Sequence, residues 1–296
     1  MQLRFATAGA AEGWARVRVA AGPYLLGTEA SVLHDMEQDT TTLARYVVVE
    51  DGEVVGIGRV RRRGDTTPSV MVMVHPEHQG RGVGRLLFDR LVQITGPQDL
   101  DSLVNGDDRS LAVAAAWGFS RVREHRVSST DPRTVAAPAA PPPDMDVRTL
   151  EEVGPRAVWE CHDATAQDDP SGLTARVPFE HFLATDWTGP LHRADLGHAV
   201  VNESEVVAYS QVDVAGDRAW STMTGCRRDH RGRGLATLAK ARTLRALADA
   251  GVIVASTGND EENRAMLAIN DRLGYRPAAS TWSMRRPALD GSRPDG

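Results

Sequence analysis

Short apolar runs broken by turn residues set the pattern of this chain. "RYVVVE" and "EVVGIGRV" flank Asp51-Gly52, a dipeptide suited to a tight hairpin, and predict two antiparallel strands. "SVMVMV" (69–74) reads as a buried strand, and "VGRLLFDRLVQI" has the 3.6 period of a helix, with Leu86, Leu87, Leu91 and Ile94 on one face. "LDSLV", a helix ending at "AAAWGF" and a strand "RVREHRV" follow.

The order then repeats. "HAVVNESEVVAYSQVDV" predicts a hairpin turning at Asn202–Ser204, followed by the strand "AWSTMTGC" and the helix "LATLAKARTLRALADA". "VIVAST", the helix "NRAMLAINDRL" and the strand "STWSMRR" complete it. An internal duplication explains two such series in one chain. The proline-rich stretch "SSTDPRTVAAPAAPPPD" (128–144) predicts an extended linker, because proline fixes φ and removes a backbone donor. The expected organisation is a lobe at 1–128, a linker at 129–144 and a lobe at 145–296. Each lobe is expected to be α+β, with a mostly antiparallel sheet and helices on its faces.

Composition narrows the possibilities without choosing among them. At 296 residues the chain suits two cores, and 41% hydrophobic with 25% charged residues is ordinary for a globular protein. No apolar run approaches the ~20 residues of a membrane span, and the N-terminal stretch has no secretory pattern. Two cysteines make neither a disulfide framework nor a zinc-type set, so a reducing cytoplasm and no metal are expected. Most of the net charge of −6 lies in the second half. That argues against nucleic acid as a partner and suits a cationic ligand such as an amine, or simply solubility. Lys240 is the only lysine.

Between each third strand and its helix lies a glycine loop: "EHQGRGVG" (77–84) and "DHRGRGLA" (229–236). Closely spaced glycines let the backbone turn sharply and approach a ligand, and the free amides at the start of the helix suit a phosphate. The spacing is not that of a dinucleotide fingerprint, and the Gly-Lys-Ser/Thr of a P-loop is absent. A plain strand–helix turn is the alternative for either copy.

Gln79-Gly80-Arg81-Gly82-Val83-Gly84 and Arg231-Gly232-Arg233-Gly234-Leu235-Ala236 resemble the pyrophosphate loop of the GNAT acyltransferase superfamily. "TGNDEENRAMLAINDRLGYRP" (257–277) is similar to its second cofactor segment, and the duplication resembles the tandem arrangement of mycothiol synthase. The resemblance implies a splayed sheet that takes acetyl-CoA in the V between two strands. It implies that Thr224 and Cys226 contact the pantetheine arm through the backbone and that Arg231–Thr237, including Ala236 and Thr237, hold the pyrophosphate. Asn263 would contact the cofactor arm. Val74, Gln79, Gly80, Arg81, Gly82, Val83 and Gly84 are the first-lobe counterparts. An amine would attack the thioester directly.

The family's usual glutamate base falls on Trp220 and Pro68, and its usual tyrosine acid on Asn270 and Ala114. Asp213 and Tyr209 are therefore the catalytic candidates, on one face with Gln211 by strand alternation. His230 reads as solvated or at the cofactor edge, Tyr275 as core, and the Cys226 thiol as unreactive. Arg61–Arg63 reads as a solvated face. Trp14, Trp159 and Trp187 suit either a pocket between the halves or ordinary helix packing. Asp107 stands in the first half where the second has Asn263, and the first lobe is expected to be scaffold, either with or without CoA binding of its own. The expectation is a monomeric or homodimeric N-acetyltransferase acting on an amino sugar, aminocyclitol, polyamine or antibiotic-like amine. A non-catalytic acyl-CoA-binding protein and a peptide acetyltransferase are the other readings.

Overall fold

The computed structural model describes residues 1–22, 24–62, 65–166 and 176–288. The chain forms two units, Met1–His125 with the C-terminal stretch from Ala279, and Arg126–Ala278.

In the first unit, β1 (Gln2–Phe5) precedes α1 (Ala11–Ala21) and α2 (Glu29–Gln38), the latter opened by a Thr28/Ser31 capping box. β2 (Thr42–Glu50) and β3 (Glu53–Arg61) form the expected hairpin, with Asp51 at φ 52° and Gly52 at 86°. β4 (Ser69–Val74), α3 (Val83–Thr95), β5 (Leu100–Asn105), α4 (Asp108–Ala116) and the start of β6 (Ser120–Thr130) follow. Alternation along the strands assigns the two faces. Val47 and Ile57 meet α1 and α2 with Trp14, while Tyr46 and Val48 meet α3 and α4.

The second unit repeats the plan. It comprises β7 (Asp146–Thr149), α5 (Leu150–Thr165, broken at Gly154), α6 (Phe179–Phe182), β8 (His198–Asn202) and β9 (Glu205–Ala215). β10 (Arg218–Cys226), α7 (Leu235–Asp249), β11 (Val254–Asp260), α8 (Arg264–Arg272) and the start of β12 (Arg276–Arg286) complete it. Tyr209 and Ala199 face α5 and α6, whereas Val207, Ala208 and Val212 face α7 and α8. Each lobe is thus α+β, a mostly antiparallel sheet with helices on both faces.

Several expectations need amendment. The extended linker does not begin at Ser128: β6 runs on to Thr130, because the first proline comes only at 132, and Ser128 and Thr130 are buried. The expected lobe 145–296 also differs from the second unit at its end. From Thr281 to Arg286, β12 pairs antiparallel with β5 of the first unit, where Met284 enters the core. Leu86 is exposed; Val83, Leu87, Phe88 and Leu91 form the buried face of α3. Trp14 packs in the first core, and Trp159 and Trp187 in the second. Among the described residues no helix is long and apolar enough to cross a membrane.

Candidate functional site: two splayed strand pairs and their glycine loops

Each glycine loop ends in a left-handed residue that starts a helix. Gly82 has φ 85° and Gly234 φ 77°, a conformation L side chains rarely adopt, and neither helix has a side-chain cap. The first-turn amides of α3 and α7 therefore have no capping side chain and carry the positive end of the helix. A Cβ built on Gly82, Gly232 or Gly234 meets nothing within 4 Å, and at Gly80 it meets only the Arg109 guanidinium at 3.4 Å. Val83 and Leu235 are buried at 1% exposure, so any ligand contact they make is through the backbone. Arg231 donates to the Cys226 carbonyl, and Arg233 pairs with Asp144 at 2.9 Å.

Beside each loop the sheet opens. In the first lobe β4 and β5 pair in parallel only at Ser69 and Asp101. Beyond that point a cavity of about 370 Å³ is lined by Val74, Gln79, Gly80, Gly82, Asn105 and Arg109 among others. Gly84 also lines it. Arg81 points instead toward Glu50, 3.6 Å away. His75, Glu77 and His78 bring donor atoms within 4.8 Å of one another, where the sequence offered no metal-type spacing. A 3-10 turn over Pro76–His78 accounts for the approach.

In the second lobe β10 and β11 pair only over Arg218–Trp220 and Val254–Ser256. β10 then shifts register against β9 between Ser221 and Met223, a bulge, and continues to Cys226. No such shift occurs between β3 and β4. The Trp220 indole lies over Gly258, whose Cβ would sit 3.2 Å from the ring. Thr224 lies on the α7 side, with its hydroxyl 3.3 Å from that of Ser210. Asn263 caps α8, accepting from the Met266 amide at 3.2 Å, and Asp107 caps α4 in the same way through Ser110. The two residues are equivalent, as their sequence positions indicate. Ala236 and Thr237 form the first turn of α7 and are partly buried.

Tyr209, Gln211 and Asp213 do share one face, since they stand opposite Gly225, Met223 and Trp220 of β10. They differ in depth. Tyr209 is fully buried and its hydroxyl lies 2.9 Å from His162 Nδ1; burial pushes its pKa well up. Asp213 is about 30% exposed, and its Oδ1 is 3.9 Å from His192 Nδ1. His192, which the sequence did not single out, has a side chain 2% exposed and packs against Trp187 at 5.1 Å.

The tyrosine-acid position is also unusual. Asn270 is buried; its Oδ1 accepts from Lys240 Nζ at 2.7 Å and its Nδ2 donates to Asn259 at 2.6 Å. Lys240 is fully buried, with Nζ 4.8 Å from the Tyr275 ring centroid, and burial pushes its pKa down to about 7. Tyr275 is core, as expected. Burial pushes the Cys161 thiol up to about 12 and raises that of Cys226.

The corresponding face of the first lobe is closed by charge. Arg59 and Arg61 reach Asp35 at 3.0 and 2.6 Å, Arg61 also reaches Asp39 at 2.7 Å, and Arg45 joins them. Arg61 is therefore not a freely solvated side chain. Arg62 donates to Gln98, and Arg63 lies outside the described residues.

Known proteins resemble the chain at three levels. The acetyltransferase (GNAT) domain matches residues 43–117, within the first lobe. The mycothiol acetyltransferase of Nocardiopsis dassonvillei is 25% identical over 281 residues, covering 84% of either chain. That of Parafrankia sp. is 27% identical over 248 residues, 73% of this chain and 75% of that one. Among solved structures, a tandem GNAT protein from the clavulanic acid biosynthesis pathway superposes with a TM-score of 0.76 at 22% identity, over 98% of this chain and all of the other. A GCN5-related N-acetyltransferase from Sphaerobacter thermophilus gives 0.69 at 21% identity, covering 98% and 97%. With two glycine loops and two splayed strand pairs, the chain carries a GNAT acetyltransferase domain match in its first lobe, is similar over most of its length to mycothiol acetyltransferases, and has the fold of tandem GNAT proteins.

Proposed function

We propose that the chain transfers the acetyl group of acetyl-CoA to the primary amine of a small molecule, and that the second lobe carries the reaction. The observation behind this assignment is the bulge between Ser221 and Met223, placed where β10 leaves β11. A bulge turns a backbone amide out of the ladder. Such an amide suits a thioester carbonyl lying in the V, and a preorganised donor to the developing oxyanion is worth roughly 3–4 kcal/mol. The loop amides from Arg231 to Thr237 would hold the pyrophosphate, and Thr224 and Cys226 the pantetheine arm through their backbone. Asn263 lies within the same reading, although its carboxamide oxygen already serves α8. Asp213 and Tyr209 remain the catalytic candidates; Tyr209 acts as a protonated hydroxyl, given its raised pKa.

The first lobe is read as a second acyl-CoA-binding unit, through Val74 and Gln79–Gly84 with Arg81 and Val83. Its cavity favours this, and on its other face the arginine and aspartate charges are paired with one another rather than with a ligand. The names of the curated relatives favour a small-molecule acceptor over a peptide. The acidic second half suits an amino sugar, aminocyclitol, polyamine or antibiotic-like amine, and the chain is read as cytoplasmic. Trp220 and Asn270 at the family's acid–base positions favour a second reading, an acyl-CoA-binding protein without turnover. Thiol release from acetyl-CoA across a panel of amines separates them: release with any amine supports the enzyme, and tight binding without release supports the sensor.

A further inference from the structure

Among the described residues, His192 is the one histidine whose two ring nitrogens are both buried and both without a hydrogen-bonding partner in the protein. Buried polar groups are paired in the great majority of cases, because leaving one unpaired forfeits its hydration without compensation. An imidazole with both nitrogens in this state is an expensive way to fill a core position. Its position gives the reason. The loop bearing His192 runs alongside β9: His192 forms a bridge with Asp213, Arg193 donates to the Val212 carbonyl, and Val214 donates to that of Leu191. Asp213 in turn stands opposite Trp220, the last residue of β10 that pairs with β11. The bulge follows immediately. His192, Asp213 and Trp220 thus form a row across three neighbouring segments, ending where the sheet opens.

We propose that His192 is the proton acceptor for the attacking amine in the second lobe, with Asp213 orienting its ring. This rests on the acetyltransferase reading given above. The neutral amine attacks the thioester carbonyl; the C–N bond forms, the C–S bond breaks, and CoA leaves as the thiolate with the bonding pair. The proton released from nitrogen goes to an imidazole nitrogen, and the resulting imidazolium faces the Asp213 carboxylate. The present 3.9 Å separation is longer than a hydrogen bond, as acid–base contacts without substrate often are.

The surroundings suit this role. Burial is the largest influence on the ring and pushes its pKa down to about 4, while Asp186 and Asp195 pull the other way. The ring is therefore neutral at physiological pH, with a lone pair to offer. Shortening the Asp213 contact adds to the pull of the other two carboxylates, toward the range in which a general base is most effective. Trp187 packs on the ring and restricts its movement.

The test uses the full-length protein, acetyl-CoA and three probe amines: glucosamine, spermidine and 2-deoxystreptamine. Thiol release is followed with the fastest amine. His192→Gln is expected to lower kcat by about 100-fold or more while leaving KM for acetyl-CoA in place. Added imidazole is expected to restore part of the rate to His192→Ala, and Asp213→Asn to lower kcat and alter the pH profile. Circular dichroism and acetyl-CoA binding report whether each variant folds. A His192→Gln variant that folds, binds acetyl-CoA and keeps the wild-type kcat overturns the proposal while leaving the acetyltransferase reading intact. A wild-type protein that binds acetyl-CoA but releases no thiol with any probe overturns that reading, and this proposal with it.

Discussion

Arg59 and Gln211 occupy the same place in the two lobes, each standing opposite a methionine, Met71 or Met223, on the neighbouring strand. Around them the lobes have diverged. Ile57, Arg59 and Arg61 correspond to Tyr209, Gln211 and Asp213, so one lobe presents arginines locked to Asp35 and Asp39 where the other presents an uncharged pair and one carboxylate. A face whose charges are mutually satisfied is a structural element; one that includes a hydroxyl, an amide and an acid beside an unpaired imidazole has chemistry available.

The arginine–aspartate cluster makes the first lobe sensitive to acid. Burial alone would raise the Asp39 carboxyl, but hydrogen bonds from Thr41 and Thr42 and the charge of Arg61 outweigh it and hold the group well below the usual range. A carboxyl depressed in the folded state stabilises fully above its unfolded value of about 4, and that contribution is lost as pH falls through the folded value. Thermal midpoints measured from pH 7 to pH 2 are expected to fall on the acid side, and Asp39→Asn to flatten that fall. At pH 7 the same substitution leaves buried guanidinium charge uncompensated and is expected to cost on the order of 3 kcal/mol.

Lys240 makes the second lobe gain stability toward alkali. Its folded pKa of about 7 lies below the ~10.4 of an unfolded lysine. Between those values the unfolded chain binds more protons, so stability rises with pH; below about 7 both states carry the charge and the penalty of burial is complete. Denaturant midpoints between pH 6 and pH 10 are expected to climb in the wild type. Lys240→Met is expected to remove the climb and, at pH 6, to leave the protein as stable or more so. An unchanged slope in that variant would show that the ammonium is not desolvated.

Cys161 is expected to be inert in the folded protein. It is buried at 0% exposure with its pKa pushed up to about 12, so almost no thiolate exists at neutral pH. Iodoacetamide labelling followed by mass spectrometry should leave it unmodified until denaturant is added. Rapid labelling under native conditions would contradict the packing of α5 on β9.

Local chemistry was legible in the sequence and long-range pairing was not. Both glycine loops and the Asp51-Gly52 and Asn202–Ser204 turns follow from residue types that act within a few positions of themselves. The shared face of Tyr209, Gln211 and Asp213 follows from the two-residue period of a strand. The partner of β12 is set by contacts with β5, some 180 residues away in the chain, and no local signal specifies it. In sequence Lys240 stands out only as the single lysine; α8, packed over it, places it inward on Asn270. His192 lies in a loop of ordinary composition and acquires meaning only from Asp213 and Trp187.

The assignment of transfer to the second lobe is tested most directly by comparing Gly234→Leu with Gly82→Leu in the acetyl-CoA thiol-release assay. Both glycines have positive φ and open space beyond the Cβ, so leucine strains each loop alike and projects into the space a pyrophosphate would fill. Gly234→Leu is expected to lower turnover by about 100-fold, the order of loss that follows misplacement of a reactant, and Gly82→Leu to lower it much less. Equal loss from the two folded variants, or a greater loss from Gly82→Leu, would contradict the account.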